Sequence, residues 1–256
     1  MKKSSLFLML VFGLCSLIYF SSCSDDDGYS LDKYWQARAS VVEEDGNRYH
    51  FRLDDGTKLF VAATNGYYKP KSERAIINFT ILGDETGTYD HSIRLNGVRE
   101  ILTKQVVELT AANADSIGSD KVEVSDMWSG GDFLNVNFSF LYAYGDRPHF
   151  INLVDNTTDA EKPTDGKIHL EFRHNAYKQP ANSKANSTAC FDLKPFRKEG
   201  VDSVNFIIKF RESDTVYKDY KVTYKYKETE ETEKAEGDKK EVKGSDITTI
   251  DEVEIK

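Results

Sequence analysis

The side chains able to make or break bonds are few and dispersed. His50, His91, His149, His169 and His174 are scattered along the chain. His169 and Glu171 share one face of a strand while His174 falls on the other, so no metal triad is expected. Forty-three acidic residues make carboxylate pairs inevitable, and a glycosidase pair is assembled in space rather than along the chain. The GxSxG elbow, the P-loop, the GxGxxG turn and the HExxH pair are all absent. Cys190, between Ala189 and Phe191 in a strand-like run, has no base beside it and reads as a buried, inert thiol. No catalytic, cofactor-binding or metal residue is assigned, and the expectation is a protein that is not an enzyme.

One cysteine has a context that does imply chemistry. Lys2 and Lys3 precede an apolar run from Leu6 to Phe20, followed by Phe20-Ser21-Ser22-Cys23. Fifteen helical residues reach about 22 Å, short of the ~30 Å of a bilayer core, which makes residues 1–22 a removable signal peptide rather than an anchor. The sequence at the cut resembles a bacterial lipobox. The Cys23 thiol would take a diacylglyceryl group, cleavage would fall just before it, and the new amine would be acylated. At roughly 0.8 kcal/mol per buried CH₂, two or three acyl chains hold a protein permanently.

Ser24-Asp25-Asp26-Asp27 follow at once and are too acidic and small to pack. Residues 23–34 therefore read as a solvated acidic tether between lipid and folded chain. Acidic residues directly after the acylated cysteine also resemble the export signal of surface lipoproteins in Bacteroides-type bacteria. Outer-membrane anchoring with surface exposure is the expectation, and the periplasmic face is the alternative. Cys15 leaves with the leader and Cys23 carries lipid, so Cys190 has no partner for an intramolecular disulfide.

The elements behind these sites alternate with period two. Ala37, Ala39 and Val41 are followed by a turn at Asp45-Gly46, then Tyr49, Phe51 and Leu53, a turn at Asp54-Asp55-Gly56, and Leu59, Val61 and Ala63. Ala75, Ile77, Phe79 and Ile81 form a fourth strand, and a fifth runs through Ile93 and Leu95. Five short strands without a long amphipathic helix predict a small OB-type barrel over 35–113. Ala111 to Asp115 is a helical or linker stretch. Beyond it about seven further alternating strands, ending with Tyr220, Val222, Tyr224 and Tyr226, predict an antiparallel β-sandwich over 114–227. The fold class is thus all-β.

Residues 228–256 differ. Lys227 to Gly244 has the composition of a disordered segment or a long hairpin loop, while Ile247, Ile250, Val253 and Ile255 are spaced for a last strand. The stretch is either a charged tail or a loop returning to the sandwich. Net charge is −9 over 256 residues, or −11 once Lys2 and Lys3 are removed, which excludes a nucleic-acid partner.

Asp115-Ser116-Ile117-Gly118, followed by Asp126-Met127-Trp128-Ser129-Gly130-Gly131-Asp132-Phe133-Leu134-Asn135, resembles the signature of the NigD-like lipoproteins of Bacteroides-type bacteria. The resemblance implies an N-terminal OB-type barrel and a C-terminal β-sandwich behind a lipobox. Its name implies a link to bacteriocins, and no established catalysis accompanies it.

Two aromatic groups are candidates for ligand or partner contact. Tyr67 and Tyr68 sit in a Gly/Pro-bounded loop where rings stack on a sugar or a protein surface. Met127 and Trp128 precede a glycine pair that admits a close-approaching group, and they serve either a pocket or the fixing of the two domains against each other. The partner is therefore a membrane through the N-terminal lipid, with a protein or glycan contact beside it.

Overall fold

The computed structural model describes residues 29–226 apart from 47, 67–68, 86, 144–146, 159–162 and 180–181. Cys23, Ser24, Asp25, Asp26, Asp27, Tyr67, Tyr68 and residues 228–256 lie outside the described residues.

The first five strands are β1 (Trp35–Glu44), β2 (Arg48–Leu53), β3 (Lys58–Thr64), β4 (Arg74–Asp84) and β5 (His91–Glu100). They close into a barrel in the order β1-β2-β3-β5-β4. The β3–β5 pairing is parallel and the other pairings are antiparallel. Closure leaves the barrel no unpaired strand border. The alternating residues read from the sequence supply its interior, with Phe51, Leu59, Ile77, Phe79 and Ile93 fully buried together. Burying each such side chain contributes about 1.5–3 kcal/mol.

Among the described residues the sandwich has nine strands. These are β6 (Leu102–Lys104), β7 (Val107–Leu109), β8 (Glu123–Gly130), β9 (Phe133–Tyr142), β10 (Phe150–Asn156), β11 (Ile168–Asn175), β12 (Ser183–Asp192), β13 (Ser203–Arg211) and β14 (Tyr217–Lys225). One sheet runs β14-β13-β11-β10-β7 and the other β6-β12-β9-β8. Phe138, Phe172, Phe191 and Phe206 interdigitate between them. A four-residue helix, α1 (Ala114–Ile117), covers Leu109 and Val154 with Ile117.

Two details differ from the sequence reading. The barrel ends at Glu100, and β6 and β7, expected in the first domain, are border strands of the two sandwich sheets. Three residues each carry too little alternation to reveal which sheet they join. They also pair in parallel, β6 with β12 and β7 with β10, as β11 does with β13, within an otherwise antiparallel sandwich.

The segment before β1 also departs from a freely solvated tether. The Tyr29 hydroxyl bonds Asp84, its ring meets His91 edge-on at 5.9 Å between centroids, and Arg94 Nη2 donates to the Leu31 carbonyl at 3.2 Å. Residues 29–34 thus lie along the outside of β4 and β5.

Candidate functional site at the domain junction

The β8–β9 hairpin turns on Gly131 and Asp132, with φ of +56° and +72°. Positive φ at both central residues is the type I′ geometry that matches strand twist, and Asp tolerates it better than most side chains. This turn is driven into the side of the barrel. A Cβ on Gly130 would stand 2.5 Å from Asp54 Oδ2, and one on Gly131 would stand 2.7 Å from Arg74 Nη1. The close-approaching group that the glycine pair admits is therefore the barrel's own ion pair.

Arg74, at the start of β4, has no solvent-exposed surface. Its guanidinium grips Asp54 at both oxygens, Nη1 to Oδ1 at 2.7 Å and Nη2 to Oδ2 at 3.1 Å. Nη1 also donates to Ser40 Oγ at 3.2 Å, and Nη2 to Asn135 Oδ1 at 2.9 Å in the sandwich. Burial, the largest single influence, lowers the Arg74 pKa, but the charge and hydrogen bonds of Asp54 together with the neighbouring Cys190 outweigh it and the net direction is upward. Cys190 Sγ donates to the same Asn135 Oδ1 at 3.2 Å, and burial pushes the thiol's pKa up so that it keeps its proton. Ile76 and Ile101 meet Phe133 and Cys190 to make the apolar part of the seam.

Trp128 lies in this seam. Arg38 from β1 stacks over its indole at 4.7 Å and donates from Nη2 to Asn137 Oδ1 at 2.9 Å. Met127 is buried in the sandwich core. Sequence reading singles out this stretch, Asp132 and Asn135 included, but reads Asp54 only as part of a turn and misses Arg38 and Arg74, which have no distinguishing local pattern.

Beside the seam opens a cleft of about 440 Å³ lined by residues of both domains, among them Arg52, Asp132, Arg197, Thr223, Tyr224 and Tyr226. Asp132 Oδ2 accepts from Arg52 Nη2 at 3.2 Å, and Oδ1 accepts from the Tyr224 hydroxyl at 2.8 Å and from Arg197. Burial would raise the Asp132 pKa, but these donors lower it on balance; burial with the adjacent carboxylate pushes Tyr224 up to about 12. Ser129 Oγ donates to the Thr223 carbonyl at 2.8 Å, so the one serine in the cleft has no base to activate it. Arg52, Arg197 and Lys225 face Asp132 and an Asp54 already engaged by Arg74, which leaves the cleft basic in an acidic protein. The cleft thus presents cations, hydroxyls and tyrosine rings.

The histidines fall elsewhere. His50 pairs with Glu44, His91 with Asp84 and His169 with Asp165. The β10–β11 register sets Ile151 opposite His174 and so brings His149 onto His174, Nδ1 to Nε2 at 2.8 Å with the rings stacked. Among the described residues no three metal-binding side chains converge. His174 Nδ1 meets the Lys121 carbonyl at 3.0 Å, and burial lowers its pKa to about 4 from 6.5. Because the unfolded chain binds this proton more readily, stability falls as pH drops from about 6.5 towards 4, at a rate approaching 1.4 kcal/mol per unit. Urea unfolding across that range is expected to show a shallower slope for His174→Gln, which cannot take up the proton.

Residues 39–101 match the NigD-like N-terminal OB domain, and residues 105–224 match the NigD-like C-terminal β-sandwich domain. A crystal structure of a protein described as toxin-related from Parabacteroides distasonis is 35% identical, with a TM-score of 0.63 over 75% of this chain and 94% of its own. The chain belongs to the NigD-like family. The NigD-like fold recurs in a NigD-like immunity protein from Bacteroides caccae, 16% identical with a TM-score of 0.53 over 76% and 93% of the two chains. It recurs also in a protein from Bacteroides fragilis described as a lipoprotein, 13% identical with a TM-score of 0.56 over 77% and 100%. No curated protein matches the chain. The strand Leu102–Lys104 falls between the two NigD-like matches and belongs physically to the second unit. Among the described residues no helix is long and apolar enough to cross a membrane.

Proposed function

We propose that this NigD-like protein is a lipoprotein anchored to the outer membrane through Cys23, exported to the cell surface by Ser24, Asp25, Asp26 and Asp27, and acting as a binding or assembly module without catalysis. The observation that carries the binding role is the basic cleft at the junction, whose carboxylate and hydroxyls are committed to holding Arg52, Arg197 and Tyr224 in place. Preorganised side chains of this kind reduce the entropic cost of association. The membrane role is tested by radiolabelled palmitate, which is expected to enter the wild type and not Cys23→Ser; equal membrane fractionation of the two would overturn it. The binding role is tested by a photocrosslinker at Thr223 in the cleft, expected to capture one discrete partner in cells where the same group at Val216 captures none. A saturable hydrolytic activity, abolished by replacing one acid or histidine, would count against it.

The names of two solved relatives, one toxin-related and one an immunity protein, favour envelope defence as the second reading. A deletion strain with unchanged sensitivity to toxins of neighbouring bacteria would end it. Glycan binding through Tyr67 and Tyr68 has no such observation behind it, and the Trp128 ring is covered by Arg38.

A further inference from the structure

Nine large apolar side chains are exposed among the described residues, and five of them gather on one side of the barrel: Tyr29, Leu31, Tyr34, Phe60 and Leu82, between 37% and 69% exposed. Phe60 lies beside Ser92, and Ser92 beside Gly83, so Phe60 and the Leu82 bulge flank β5 on its outer side. Residues 29–34 run along the same surface, fixed by Tyr29 to Asp84 and by Arg94 to the Leu31 carbonyl. Tyr89 extends the rim, its ring 5.3 Å from that of Phe60.

We infer that this face of the barrel rests on the bilayer surface, with the aromatic and aliphatic rim seated at headgroup level. The inference rests on the proposed lipidation of Cys23. With Tyr29 pinned to the barrel, the chain between lipid and fold shortens from the eleven residues of a free tether to six, a span of at most about 21 Å. The anchored protein cannot lift this face further from the membrane than that. Tyrosine rings with a wet hydroxyl and an apolar body suit the interface between headgroups and acyl chains. Charge is not the attraction, because Lys33 and Lys58 stand among Asp32, Asp84 and Asp90. A lipid surface satisfies both observations, since the anchor ends where the apolar side chains cluster.

The test uses the full lipidated protein on vesicles of phosphatidylcholine containing brominated chains. Acylated Cys23 and buried Cys190 leave a new cysteine as the site for an environment-sensitive fluorophore, placed by Asp32→Cys beside the rim or by Asp219→Cys on the sandwich. The label at 32 is expected to shift to the blue and to be quenched several-fold more strongly than the label at 219. Adding Leu31→Asp and Phe60→Asp should abolish that difference while the protein still floats with the vesicles. If the wild type does not float, or floats no better than Cys23→Ser, the lipid anchor fails and the inference with it. If it floats and the two labels are quenched alike, the anchor stands and the docked face is overturned. A blue shift at position 32 that grows with protein concentration in the absence of vesicles would assign the rim to a second copy of the chain and also overturn it.

Discussion

Asp54→Ala is expected to cost about 3 kcal/mol, the low end of the loss seen when a buried charge is left uncompensated, because Arg74 is wholly buried while the Asp54 side chain is 28% exposed. Arg74 has no exposed surface, and its remaining partners, Ser40 Oγ and Asn135 Oδ1, are neutral. The charge cannot be shed by deprotonation, since an arginine stays protonated at any accessible pH. A fall in thermal midpoint on the order of 10 °C is the result for a chain of this size. Adding Arg74→Met removes the orphaned charge and should recover part of the loss, which a double-mutant cycle reads directly. Equal midpoints for Asp54→Ala and wild type would mean that the junction is not held by this pair.

Gly130→Ala should act at the same seam from the opposite side. Its methyl group would meet Asp54 Oδ2 at 2.5 Å and Cγ at 2.7 Å, and that carboxylate is held by two bonds to Arg74. Overpacking of this kind costs about 1–3 kcal/mol and drives the hairpin away from the barrel. Cys190, wholly buried in the seam, reports the opening, so its alkylation by a small maleimide is expected to accelerate in Gly130→Ala. Gly97→Ala, whose Cβ meets nothing within 4 Å, is the control expected to leave Cys190 protected. A Cys190 that stays equally unreactive in both variants would refute the steric account.

Much of the architecture is legible in the sequence because each strand buries one face. Phe51, Leu53, Phe79 and Phe138 alternate with polar neighbours, and together with Ile77 and Phe140 they occupy the cores expected of them. The junction is legible only from one side. Trp128, Gly130 and Gly131 stand out by type, whereas Asp54 resembles any acidic turn residue and Arg74 any basic strand terminus. The burial of Arg74 and the close approach to Asp54 come from a turn of chain more than fifty residues onward, which no local pattern encodes. The His149–His174 contact is hidden in the same way, because it depends on the register of β10 against β11 rather than on spacing along the chain.

The two short strands after the barrel have a further consequence. The chain leaves β5 at Glu100 and within nine residues has completed a border strand for each sandwich sheet, β6 against β12 and β7 against β10. A gene fragment that begins after residue 110 would therefore leave two sheets with bare, sticky rims. The boundary between the halves thus falls at Ile101 in the polypeptide, and recombination that trades one half for another must carry both short strands with the second half.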